Sequence, residues 1–232
     1  DLQMHTTATD GKNTLVEMAN ACAAMGYEYI AITDHTKAVR VAGGLTSAGF
    51  RKQSRQIDAI QTRFKHLTIL KGAEVDILDD GSLDLDDDTL EQLDIVVISV
   101  HSRFNISKTA MTRRIVRAIR HPRAHILGHP SGRLIGKREA YAVDMEEVMK
   151  AARDHGVLLE VNAQPDRLDL HDLHVSMALQ IGVKLVVSTD AHRIEELSCM
   201  RYGVDQARRG WCERKDVANT LHRDAFRRRL QK

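Results

Sequence analysis

Apolar positions along the chain alternate between two rhythms. Short β-rich runs lie at Leu2–His5, Tyr29–Thr33, Leu67–Val75, Ile95–Val100, His125–Gly128, Val157–Asn162 and Lys184–Ser188. Between them, Thr14–Met25, Ser47–Phe64, Ala110–Ile119, Met145–His155, Leu173–Ile181 and Ile194–Arg209 carry helical spacing. Strands alternating with helices argue for parallel pairing, because a parallel connection needs a long crossover. The pattern predicts an α/β fold, and seven strands with intervening helices predict a TIM-like (β/α) barrel rather than a bundle or a sandwich. Gly26 stops the first helix. Residues 216–221 and 224–230 read as one or two short helices closing the barrel, and Gly43-Gly44 and 132–137 as loops. With no repeat, no low-complexity linker and only three prolines, residues 1–232 read as one domain.

The polar residues gain meaning from where these runs end. The strands run into Gln3-Met4-His5, Asp34-His35, Glu74-Val75-Asp76, His101, His129, Glu160-Val161-Asn162 and Asp190-Ala191-His192. In a (β/α) barrel that C-terminal rim is where the connecting loops converge and sites are built. Residues i and i+2 of a strand share a face, so Gln3 and His5 point together, and Asp190 and His192 repeat the spacing. Barrel closure would make the first and last strands neighbours and bring these pairs to one place. A lone histidine at a strand end is usually a hydrogen-bonded structural residue, and a lone Asp there usually a helix cap. The coincidence of His5, His35, Glu74, His101, His129, Asp190 and His192 at equivalent positions points instead to a metal cluster, with donors suited to zinc, iron or manganese. His66, His121, His125, His155, His171, His174 and His222 sit on helices, loops or strand starts and read as structural or surface groups.

Composition narrows the setting. A hydrophobic content of 43% supports a sizeable core, and no apolar run is long enough to span a bilayer. Without a signal-peptide pattern, and with Cys22, Cys199 and Cys212 too few for a disulfide framework, the cytoplasm is the expected compartment. The chain opens at Asp1, already strand-like, as a module cut from a longer protein would. Residues 201–232 hold ten Lys/Arg against four Asp/Glu, a balance of +6, so the first 200 sum to −4 within the net +2. A basic tail of this kind suits nucleic acid, or a solvated helical face.

The segments "DLQMHTTATDG", "AITDH", "KGAEVDI", "VISVHSRF", "LGHPSGRL" and "VSTDAH" together resemble the PHP (polymerase and histidinol phosphatase) family. "GSLDLDDDTLEQLDIVVISVHSRF", "LGHPSGRLIGKRE" and "MRYGVDQARRGW" are similar to the C-terminal PHP module of bacterial family X DNA polymerases. The resemblance covers essentially the whole chain. It implies a distorted seven-stranded (β/α) barrel with up to three divalent ions, Mn²⁺ or Zn²⁺. By motif, His5, Glu74 and Asp190 would hold one ion, Glu74, His101 and His129 a second, and Asp10, His35 and His192 a third. Asp10 enters only through this match; alone, Thr9-Asp10-Gly11 reads as a turn. Family members usually open with His-x-His, where this chain has Gln3, a poorer zinc ligand than imidazole.

The implied activity is phosphate-ester hydrolysis, with DNA 3′ ends as the expected partner and a 3′–5′ exonuclease as the expected role beside an N-terminal polymerase region. Hydroxide held among Glu74, His101, His129 and Asp190 would attack phosphorus. Arg103, Arg133 and Arg40 are the candidate phosphate forks, in that order, each with a surface ion pair as its plain alternative. Phe104 and Tyr202 are candidate stacking partners for a terminal base. Two other readings stand beside this one: a stand-alone phosphatase for a small phosphomonoester such as histidinol phosphate, and a catalytically weak structural or DNA-binding domain, for which Gln3 is the best support.

Overall fold

The computed structural model describes residues 1–230, so Lys232 of the basic tail lies outside it. Six parallel strands pair in sequence order: β1 (Tyr29–Ile32), β2 (Thr68–Asp76), β3 (Ile95–Ser99), β4 (Ile126–Leu127), β5 (Leu158–Asn162) and β6 (Leu185–Ser188). Eight helices accompany them: α1 (Leu15–Ala24), α2 (Ser47–Gln61), α3 (Asp87–Glu91), α4 (Lys108–Ile119), α5 (Met145–Asp154), α6 (Asp172–Ile181), α7 (Met200–Arg209) and α8 (Arg223–Leu230). Helix starts follow local chemistry. At α1, Thr14 and Glu17 form a capping box, with Glu17 N donating to Thr14 Oγ1 and Thr14 N donating to Glu17 Oε2.

The expected count of seven strands becomes six. The segment predicted as the first strand makes a single parallel bridge, Met4 to Ala191. It nevertheless lies between the sheet's two ends. Ala31 N donates to Asp1 O and Thr33 N to Met4 O on one side, and His5 N donates to Ala191 O on the other. Leu2 packs inside with Tyr29, whereas Met4 packs outside with Ile30, so the segment lacks the side alternation of a regular strand. Other elements also depart from the predicted pattern. The 194–209 stretch is a 3-10 helix (Ile194–Cys199) followed by α7, residues 214–220 form two 3-10 turns, and α3 arises in an acidic stretch where no helix was expected.

The inner face of the curled sheet changes character along each strand. Tyr29, Ala31, Leu70, Ile95, Val97, Ile126, Leu158 and Val186 form one apolar cluster, closed by Phe226 and Leu230 of α8. Continuing at two-residue spacing, the same faces carry Glu74 and Asp76 on β2, Ser99 on β3, Glu160 and Asn162 on β5, and Ser188 on β6. All of these are buried. The alternate positions, among them Val75, Val96, Ile98, Leu127, Leu159, Val161 and Val187, pack outward in a second cluster with helix residues such as Ile115 and Val148. An apolar floor, capped by α8, thus supports a polar upper layer. Gly128 lets the upper layer close: a Cβ there would meet Ser99 Oγ at 2.5 Å and Val97 Cγ1 at 2.9 Å. Among the described residues no helix is long and apolar enough to cross a membrane.

Candidate metal centre

Glu74, at the upper end of β2 and fully buried, is the hub of the site. Its Oε1 lies 3.0 Å from His129 Nε2 and 3.3 Å from His101 Nε2, and its Oε2 lies 3.2 Å from His35 Nδ1 and 3.4 Å from His5 Nε2. His5 Nε2 is also 3.1 Å from Asp190 Oδ1. Asp10 Oδ2 lies 3.7 Å from His35 Nε2 and 3.4 Å from His192 Nε2. The rings pack together: His5 stacks on His35 and His192 at 4.4 and 4.2 Å, and His101 meets His35 and His129 edge-on at 5.2 Å.

All eight residues expected as ligands therefore converge. Three groupings have donor atoms close enough to share an ion: His5, Asp10, His35 and His192; His35, Glu74 and His101; and His5, Glu74 and Asp190. The third coincides with a set implied by the family resemblance, and the other two redistribute His5 and His35. His129 joins through Glu74. These residues fit divalent cations on two observations. Among the described residues, the buried cluster-facing atoms His35 Nδ1, Asp10 Oδ1 and Glu74 Oε2 have no hydrogen-bond partner, although buried polar atoms are normally satisfied. The nitrogen-to-oxygen separations also match two bonds of ~2.1 Å to a shared cation.

Charge in the cluster is strongly polarised. Burial opposes ionisation of Glu74, but His35 and His101 outweigh it and hold the carboxyl well below its usual range. Burial likewise opposes the charge of Asp190, and contact with His5 and the field of Arg167 win there. Asp10 is pushed down to about 2 against burial, by His192 and His35. Among the imidazoles, burial drives His35 down to about 3. Burial would lower His101 and His192 too, yet Glu74 and Asp76 raise His101 to about 9, and Asp10 and Asp190 raise His192 to about 10.

A surrounding layer fixes these side chains, and most of it escapes the sequence reading. Asp76 accepts from His101 N at 3.1 Å and contacts His101 Nδ1 at 3.0 Å, turning Nε2 toward Glu74. Asn162 Nδ2 donates to Asp190 Oδ2 and to Glu160 Oε2, both at 3.1 Å, and His129 N donates to Glu160 at 2.7 Å. Asp34 accepts from Thr6 N, Thr6 Oγ1 and Thr9 Oγ1 and so ties down the loop leading to Asp10. Arg167 Nε sits 3.4 Å from Asp190 Oδ2. Asp76, Glu160 and Asn162 carried a legible signal, the two-residue spacing that places them on the inner face; Arg167, in a loop, carried none. His129 and Asp190 adopt left-handed backbone, φ 27° and 52°. Such strain costs about 1–3 kcal/mol per residue and concentrates at functional sites.

Gln3 is fully buried beside the cluster; its Nε2 is 3.5 Å from Asp190 Oδ1 and its Oε1 is unpaired. The candidate phosphate arginines do not share the cluster. Arg103 is mostly exposed and pairs with Asp79 at 3.5 Å. Arg133 donates from Nε to Arg167 O and from Nη2 to Leu168 O. Arg40 lies exposed in a 3-10 turn, and Phe104 lies under the Arg138 guanidinium, 3.9 Å from the ring centroid.

The PHP domain family matches residues 1–164, the stretch that supplies Asp10, Glu74 and four of the five clustered histidines. The chain belongs to the PHP family. It is 47% identical over 94% of its length to a Bacillus subtilis protein named DNA polymerase/3′-5′ exonuclease PolX, and spans 38% of that protein's length. A probable phosphatase of Thermoanaerobacter sp. is 30% identical over 83% of this PHP chain and 78% of its own. In fold, the chain resembles the histidinol phosphate phosphatase of Lactococcus lactis, a structure with zinc, L-histidinol and phosphate. The TM-score is 0.61 with 14% identity, covering 92% of this chain and 94% of that one.

Proposed function

We infer that this PHP chain is a metal-dependent phosphoesterase acting on DNA 3′ ends as a 3′–5′ exonuclease, one catalytic unit of a longer polymerase-bearing protein in the cytoplasm. The observation that carries the hydrolase reading is the convergence of four imidazoles on Glu74, with His192 and Asp10 beside them and buried polar atoms left unsatisfied among the described residues. Similarity to PolX, and the fact that the chain spans only part of that relative, support DNA as substrate and a neighbouring polymerase region.

His5, Asp10, His35, Glu74, His101, His129, Asp190 and His192 would hold up to three divalent cations, Mn²⁺ or Zn²⁺. When bound, such cations lower the pKa of a water and neutralise charge on phosphoryl oxygens. The chain does the positioning: Asp76 orients His101, Asn162 and Gln3 border Asp190, and Glu160 anchors the backbone of His129. Arg167, 3.4 Å from Asp190, is the guanidinium best placed to meet a phosphate beside the cluster. Arg103, Arg133 and Arg40 would act further out along the strand.

Hydrolysis of a small phosphomonoester is the second reading, favoured by the relatives named probable phosphatase, which this chain covers over most of their length. Purified chain, chelated and then reloaded separately with Mn²⁺ and Zn²⁺, should shorten a 3′-recessed oligonucleotide faster than it releases phosphate from small monoesters. Asp190→Ala should abolish this. The opposite preference would assign the chain to the phosphatases, and an inactive metal-loaded chain would leave it a structural role.

A further inference from the structure

The loop after β5 serves two neighbourhoods. The side chain of Arg167 reaches Asp190 in the histidine cluster, while its backbone oxygen accepts from Arg133 Nε at 2.7 Å. Against this loop a cavity of about 380 Å³ opens toward α7, lined by Arg133, Leu168, His171, Tyr202, Gln206 and Arg209 among others. The loop leaves the upper end of β5 and runs into α6, so the cavity shares the rim that carries the cluster. Tyr202, Gln206 and Arg209 follow helical spacing, so one face of α7 forms its wall.

The lining has the chemistry of an anion beside an aromatic ring. Two of Arg133's nitrogens are fixed on loop carbonyls, which leaves Nη1 without a partner among the described residues. The side chain of Arg209 is 70% exposed and pairs with Asp172 at 3.2 Å, an exchangeable surface contact. His171 and His174 stack at 3.9 Å, and His174 Nδ1 is buried and unpaired. Burial first, and then Arg133, hold His171 below its usual range; burial, His171 and Arg133 push His174 to about 4. Asp172 and Asp205 also line the cavity, Asp172 as the partner of Arg209, so the uncommitted Nη1 of Arg133 is the donor that faces an incoming anion. Tyr202 is 37% exposed, with the Arg201 guanidinium 4.5 Å from its ring centroid. The volume lies within the range of pockets that hold small ligands, and a bare phosphate would leave the ring unused.

We propose that this cavity is the subsite for a nucleotide adjoining the scissile phosphate of a DNA strand, with its phosphate at Arg133 and Arg209 and its base on Tyr202. The proposal rests on the DNA reading of the histidine cluster and adds a place where the strand is gripped.

The test compares Tyr202→Ala, Tyr202→Phe and Arg209→Ala with the parent chain, all loaded with Mn²⁺, on a single-stranded oligonucleotide and on bis(p-nitrophenyl) phosphate. The readout is the ratio of the two kcat/KM values. Tyr202→Ala should lower it about tenfold, mainly through a higher KM for the oligonucleotide, and Tyr202→Phe should restore it. Arg209→Ala should lower it severalfold, more at low salt than at high salt. Unchanged ratios in an enzyme that cuts oligonucleotides overturn the subsite and leave the DNA reading intact. Cleavage of the chromogenic ester without cleavage of the oligonucleotide overturns both. If neither is cut, anisotropy of the labelled oligonucleotide decides: no binding, or binding insensitive to Tyr202→Ala, overturns the subsite.

Discussion

Asn162 donates from one amide nitrogen to Asp190 Oδ2 and Glu160 Oε2, each at 3.1 Å, and so links the carboxyl of Glu160 on β5 to that of Asp190, two residues past the end of β6. Asp190 takes part in the cluster through His5, and its carboxylate orientation depends on this amide. Asn162→Ala should lower metal affinity about 10- to 100-fold, the usual consequence of removing a group that orients a ligand. Calorimetric titration with Mn²⁺ measures this; unchanged affinity would show that Asp190 is held by other means.

Gln3 is the position where the chain departs from the His-x-His opening of its family. Its amide lies 3.5 Å from Asp190 and its oxygen is buried without a partner. Gln3→His places a stronger ligand beside His5 and should raise metal retained after dialysis and turnover, each roughly tenfold. Elemental analysis gives the metal content. If the variant holds no more metal, the side chain at position 3 lies outside the coordination sphere.

Metal uptake should strengthen with pH. In the metal-free chain, His101 is raised to about 9 and His192 to about 10, despite burial, by the carboxylates beside them. Both are protonated at neutral pH and must lose that proton to bind a cation. Titrations near pH 7 in buffers of different ionisation enthalpy should therefore report proton release, and affinity should rise between pH 6 and 8. A pH-independent affinity would contradict ligation by these two residues.

Glu160 gives the metal-free protein a slope of opposite sense to acid denaturation. Burial, and then Asp190, raise its pKa well above 4.5. A carboxyl with a raised folded pKa contributes stability that is fully present below its unfolded value and is lost as pH rises through the folded one. Glu160→Gln cannot ionise, and its carbonyl can still accept from His129 N and Asn162. Urea denaturation of chelated protein should find the variant gaining on the parent between pH 5 and pH 8, and a constant difference would sink this assignment.

Gly128→Ala tests the close packing beneath the cluster. The added methyl would meet Ser99 Oγ at 2.5 Å and Val97 Cγ1 at 2.9 Å, so these neighbours would have to shift. Overpacking of this kind costs about 1–3 kcal/mol. A shift in urea midpoint of that size, without a change in slope, is the expected result.

How much of this was legible follows from what each feature depends on. Buried parallel strands need continuous apolar runs and helices need the 3.6-residue period, so all six strands and most helices could be read within a few residues. Strand ends and two-residue spacing also marked the eight clustered residues except Asp10, whose turn has no period and which came through family resemblance alone. The segment at Leu2–His5 looked like a strand because its composition is right, but tertiary packing sends Leu2 inward and Met4 outward and leaves one bridge. Helix α3 was hidden in an acidic run whose cap, Asp86 accepting from Thr89 N, resembles any other Asp in such a run. The grouping of donors, the place of Arg167 and the cavity beside α7 belong to the tertiary structure, because they depend on side chains from distant segments meeting in space. Periodicity carries the direction in which a residue faces; only the folded chain sets which residues it faces.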